Sequence, residues 1–167
     1  MNRLSVRCLI LACGNTLRED DGVGPWLADW AEERFRGESG VRVVSRHQWT
    51  PELAEEIAQA EAVIFVDCAI NIPSGSVRTM PVRAEDESSG LGTHHLGAGQ
   101  LLSLSKELYD STPRSSLLLT IGAGSLELRE GFSDAVKRAL PEACRILDES
   151  VQHLVGQSET FSSDQRA

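Results

Sequence analysis

The chain has 167 residues, the length of one ordinary domain. At that size a single core removes roughly 70% of the unfolded chain's surface from water, so disulfides are not required. Apolar residues make up 41%, charged residues 25% and aromatics 5%, a soluble globular profile. Sixteen Lys and Arg against 25 Asp and Glu leave a net charge of −9. That balance argues against nucleic acid and against anionic membrane, which need a basic face. It suits a cation or a basic partner segment, and serves equally as a solubility charge.

In chain order, strand and helix signals alternate. Residues 6–12, apolar except for Arg7, show the pattern of a strand buried on both faces. A Gly- and Asp-rich turn, Gly14-Asn15-Thr16-Leu17-Arg18-Glu19-Asp20-Asp21-Gly22, leads to a helix opening at Gly24-Pro25. Its apolar stripe is Val23, Trp26, Leu27, Trp30, Ala31 and Phe35. A second strand is predicted over 41–45. A helix start follows at Thr50-Pro51-Glu52, with Thr50 as its N-cap. A third buried strand covers 62–66 and ends at Asp67. The Ile72-Pro73-Ser74-Gly75 turn is too short for a helical crossover, so the next strand, over 76–82, must run antiparallel to a neighbour. Residues 83–93 lack periodicity and read as a mobile loop carrying His94. A helix over 96–109, a strand over 117–121 and a last helix starting at Ser133 complete the pattern. Pro141 should kink that helix or restart it.

The order βαβαββαβα specifies an α/β fold: a three-layer αβα sandwich around a mostly parallel five-stranded sheet with one antiparallel strand. It forms one domain over 1–156, followed by a polar tail, 157–167, expected to fray. Arg3 and Arg7 precede an apolar run that ends in Gly14-Asn15 without a cleavage site, so a cytoplasmic location is expected. Cys8, Cys13, Cys68 and Cys144 show no metal-knuckle spacing and read as buried thiols in a reducing compartment.

In parallel sheets the working site lies off the carboxyl ends of the strands. That rule selects Asp20 and Asp21 after the first strand, Asp67 at the end of the third, and His94 and His95 before a helix. Two carboxylates and an imidazole could hold a divalent transition metal with open positions. Each residue also has an ordinary reading: Asp20 or Asp21 as a helix cap, His94 as a cap or solvated loop residue, Asp67 within a capped turn. Ala12-Cys13-Gly14-Asn15 is not a dinucleotide fingerprint, and Asp20-Asp21-Gly22 lacks the further ligands of a calcium loop. Cys68 with His94 or His95 could form a nucleophile and base, although the adjacent Asp67 disfavours the thiolate. Trp26 and Trp30 read as core, and Trp49 as the tryptophan available for partner contact.

The segment from Gly14 to Gly24 resembles the amino-terminal signature of the [NiFe]-hydrogenase maturation endopeptidases, which remove a carboxy-terminal extension from the hydrogenase large subunit. Val63-Ile64-Phe65-Val66-Asp67, Thr93-His94-His95-Leu96-Gly97, and the stretch from Ile121-Gly122 through Ser125-Leu126-Glu127 to Gly131-Phe132-Ser133 are similar to further family segments. The likeness spans about residues 5 to 155. Two departures stand out: Ala12 replaces the family's first glycine, and His47-Gln48-Trp49-Thr50-Pro51-Glu52 replaces an Asp-Gly-Gly-Thr loop found in many members.

The resemblance implies a peptidase whose metal-contacting residues fall on Asp21, Asp67 and His94, with Asp21 and Asp67 also serving catalysis. The partner it implies is the [NiFe]-hydrogenase large-subunit precursor, which supplies the nickel. No tightly bound cofactor is expected in the protein itself, although other divalent metals could occupy the site, and the protein is expected to be a monomer. The alternatives are a metal-independent cysteine hydrolase using Cys68 and His94, and a non-catalytic metal-binding maturation chaperone.

Overall fold

A computed structural model describes residues 6–84 and 96–164. Five strands, β1 (Val6–Cys13), β2 (Val41–Arg46), β3 (Ala60–Ala69), β4 (Val77–Pro81) and β5 (Ser115–Gly122), form one sheet in the order β2-β1-β3-β5-β4. All pairs are parallel except β4 with β5. The antiparallel strand therefore sits at an edge, where the short β3–β4 turn puts it.

From Cys8 to Cys13 the apolar run of β1 is unbroken because both its faces are buried there. Cys8, Ile10 and Ala12 pack with Ala62, Ile64 and Val66 of β3 beneath helices α1 (Val23–Arg34) and α4 (Asp134–Asp164). Leu9, Leu11 and Cys13 face the other way, with Val63 and Phe65, beneath α2 (Leu53–Ala58) and α3 (Ala98–Tyr109). Two cores on one sheet make the three-layer sandwich. The helices alternate sides because β1 connects outward to β2 whereas β3 lies on the opposite flank of β1, and right-handed crossovers then place α1 and α2 on opposite faces.

Several local expectations change in the folded chain. Thr50 is not the N-cap of α2; Thr50-Pro51-Glu52 forms a turn, with the Leu53 N–H on the Thr50 carbonyl at 3.1 Å, and the helix starts at Leu53. The Thr50 hydroxyl serves the Glu52 carboxylate instead and holds it below its usual range. Trp49 is a core residue, 7% exposed, with its ring edge-on to Phe65 at 5.2 Å. Trp26 is the tryptophan at the surface, 37% exposed and edge-on to Phe132. Helix α4 passes through Pro141 as one element and extends to Asp164.

Candidate functional site

The strand ladders place a crevice at one point of the sheet. The last rung between β1 and β3 is Ala12↔Val66. Beyond it β1 stays with β2 through Cys13↔Arg46, while β3 stays with β5 through Asp67↔Thr120, Cys68↔Ile121 and Ala69↔Gly122. Asp67 thus lies inside β3, not at its end. It stands where the ladder to β1 opens, and this is also where the strand order reverses, the usual ligand position in such sheets.

The loop after β1 folds back onto this crevice because two glycines let it. A Cβ on Gly14 would lie 1.9 Å from the Asp21 carbonyl oxygen, and one on Gly24 would lie 2.1 Å from the Cys13 carbonyl oxygen. Only hydrogen fits at either place. The end of β1, the 3₁₀ turn Glu19–Gly22 and the start of α1 are thereby pressed together.

Three neighbouring acids in that loop have three different environments. Glu19 is buried despite its charge and adopts φ 45°, a left-handed conformation uncommon outside glycine. Its carboxylate pairs with Arg129, and the hydrogen bonds from Arg129 and Ser125 hold it below its usual range. Asp20 is fully buried and accepts four hydrogen bonds: from the Gly124 and Ser125 N–H groups at 2.7 and 2.9 Å, and from the Ser133 N–H and hydroxyl at 2.7 Å each. Burial pushes the Asp20 carboxyl up, but these donors outweigh it and keep the acid below the ordinary range. Asp20 therefore ties the first loop to the segment after β5 and to the start of α4, where the Ser133 oxygen also receives the Val136 N–H. Asp21 alone of the three is half-buried, and the Asn15 N–H donates to its Oδ2 at 2.8 Å.

Asp67 is oriented from two sides. Its Oδ1 accepts the Cys68 N–H at 2.8 Å and the Cys13 thiol at 3.3 Å across the opened ladder. Burial first, then the Asp67 charge and its hydrogen bond, and then Asp21 push the Cys13 thiol far up, so it stays a donor. Burial, Asp67 and Asp21 push Cys68 up to about 12. The geometry brings the two acids near one strand end: Asp67 is bonded by Cys13 and Asp21 by Asn15, two residues further along the chain. A thiol so disfavoured as a thiolate is a poor nucleophile, which weighs against the cysteine-hydrolase alternative.

His94 and His95, with most of the 83–93 loop, lie outside the described residues. Among the described residues no group of three His, Cys, Asp or Glu side chains is arranged to hold a metal ion. No described helix is long and apolar enough to cross a membrane. Sequence reasoning marked Cys13 only as a buried thiol and left Glu19 without a role. Cys13 becomes legible only through the β1–β3 register, and Glu19 only through its partner 110 residues away.

No family model and no curated protein matches the chain. Solved structures do. The hydrogenase maturating endopeptidase HybD from E. coli superposes with a TM-score of 0.74 at 19% identity, covering 88% of this chain and 93% of that one. The [NiFe] hydrogenase maturation protease HybD from Thermococcus kodakarensis gives 0.65 at 24% identity, over 86% and 97%. The hydrogenase 2 maturation peptidase from a Thaumarchaeota archaeon gives 0.65 at 25% identity, over 87% and 98%. The chain is similar in fold to these proteins over nearly its whole length.

Proposed function

We propose that this protein is an endopeptidase that removes the carboxy-terminal extension of a nickel-loaded [NiFe]-hydrogenase large-subunit precursor. Asp21, Asp67 and His94 contact the nickel that the substrate carries. The observation that carries the reading is that Asp67 and Asp21 are held by Cys13 and Asn15 at the end of β1, beside the opening of the β1–β3 ladder, in a fold like that of the maturation proteases.

The chemistry suits the residues. Oxygen and imidazole donors can probe a nickel ion already held by cysteines without extracting it, because soft sulfur binds such ions more tightly. The Cys68 N–H and the Cys13 thiol fix Asp67 before substrate arrives, and the Asn15 N–H does the same for Asp21. Such fixation spares the reaction the cost of ordering the groups. With the metal orienting the peptide, a carboxylate at this mouth takes the proton from the attacking water. The protein acts as a monomer in the cytoplasm and needs no metal of its own.

The test is a mass measurement on nickel-loaded precursor incubated with the protein. The expected result is a shortened large subunit, with Asp21→Asn slowing cleavage by roughly 100-fold or more. Full-rate cleavage by Asp21→Asn removes Asp21 from the mechanism. An intact precursor with the unsubstituted protein overturns the peptidase reading and leaves the chaperone alternative.

A further inference from the structure

Among the described residues two that are not glycine have a positive φ, Glu19 at 45° and Asp110 at 50°. Asp110 is ordinary: it closes α3 as a left-handed cap, with its N–H on the Lys106 carbonyl. Glu19 instead opens the 3₁₀ turn that carries Asp21, and its carboxylate is buried. It therefore bears both a left-handed backbone and a charge withdrawn from water, each of them unfavourable. Such a conformation persists only where its surroundings dictate it.

The surroundings are the segment after β5. Arg18 and Arg129 form an isolated parallel bridge, the Glu19 N–H reaches the Arg129 carbonyl at 2.8 Å, and the Asp20 N–H reaches the Ser125 carbonyl at 3.2 Å. Arg129 also brings its guanidinium to the Glu19 carboxylate, so its main chain and its side chain hold the same residue. Asp21 depends on this arrangement. Its N–H rests on the Arg18 carbonyl at 3.1 Å, and its Oδ2 takes the Asn15 N–H at 2.8 Å. A change of φ at Glu19 swings the chain that follows it, and Asp21 is two residues on.

We infer that Arg129 is a positioning residue for Asp21: by holding Glu19 in its left-handed conformation, it sets where the Asp21 carboxylate stands. The inference rests on the proposed function and deepens it by naming what aims that carboxylate. Arg129 acts through Glu19 and touches no reacting group. Glycine takes a φ of 45° freely and needs no such partner, whereas alanine keeps the β-carbon that disfavours it and offers no carboxylate to hold.

The experiment uses that difference. Arg129→Met removes the cation from a side chain that is 61% exposed. In that background Glu19→Gly and Glu19→Ala both delete the buried charge, and they differ in their tolerance of the left-handed conformation. Two quantities are measured: kcat on nickel-loaded precursor, and hydrogen exchange of the Asn15 amide read against the amides of β1, which follows the bond to Asp21 without any substrate. Arg129→Met and Glu19→Ala/Arg129→Met should lower kcat about tenfold or more and speed Asn15 exchange. Glu19→Gly/Arg129→Met should match the parent in both. Arg34→Met, which breaks the pair with Asp148 between α1 and α4, should leave both unchanged. With the parent cleaving normally, equal kcat or equal Asn15 exchange in the glycine and alanine variants overturns the inference, even where Arg129→Met alone does not fold. Parent-like behaviour of Arg129→Met overturns it as well. A parent that leaves the precursor intact overturns the peptidase reading instead, and Asn15 exchange then decides by itself whether Arg129 places Asp21.

Discussion

At the scale of single residues, three consecutive acids show how place decides role. Glu19, Asp20 and Asp21 share one turn and one charge, yet Glu19 braces a loop, Asp20 is a buried fastener, and Asp21 stays half-buried, held by the Asn15 N–H. Asp20→Asn keeps the shape but sets an amide NH₂ against donors that now face carboxylate oxygen. It should destabilise the fold by about 2–4 kcal/mol, measured by urea unfolding. The parent should also lose stability in acid for the same reason. The Asp20 carboxyl is lowered in the folded state, so its contribution is complete above the ordinary value of 3.8 and drains as pH falls toward the folded value. In Asp20→Asn that part of the acid dependence should vanish; an identical acid profile in both proteins would show that Asp20 does not carry it. From the residues alone Asp20 and Asp21 were equal candidates, the resemblance favoured Asp21, and Glu19 had no role. Only the long-range donors at Gly124, Ser125 and Ser133 tell them apart.

At the scale of elements, strand and helix order followed from period, whereas ends and caps followed from neighbours. The Asp67 strand runs on to Ala69 because β5 keeps pairing with it after β1 has turned away. Thr50 forms a turn in place of a cap, and Trp49 goes inward because Phe65 offers it a ring to pack on. The most exacting junction is between β1 and α1. Gly24→Ala drives a methyl into the Cys13 carbonyl, which belongs to the backbone and cannot rotate away. The expected cost is about 1–3 kcal/mol, a fall of several degrees in Tm by calorimetry. Because the same strand end carries the Cys13 thiol that steadies Asp67, cleavage should fall as well. A variant with unchanged Tm would mean that α1 can lift from the sheet at little cost.

At the scale of the whole molecule, the sheet has a centre and two edges. β1 and β3 are flanked by strands on both sides and by helices on both faces, while β2 and β4 close the sheet at either end. Native-state hydrogen exchange should therefore be slowest in residues 9–11 and 63–66, opening only with global unfolding, and faster in the edge strands. Uniform protection across all five strands would contradict this ranking. On this ranking the candidate site adjoins the slowest-exchanging strands, with Asp67 inside β3 and Asp21 in the turn that follows β1.

The amino-acid sequence by itself determined the fold class, the antiparallel strand, the two buried central strands and the short set of acids at the strand ends. Those features depend on local period, turn length and residue type, which are properties of neighbouring residues. What the tertiary structure alone decided is what Glu19 and Asp20 fasten, what steadies Asp67, which tryptophan is inside, and that the loops after β1 and β5 meet at Arg18 and Arg129. Each of these rests on a contact between segments about 50 to 110 residues apart in most cases, and no local pattern encodes where such segments meet until strand order and register are known.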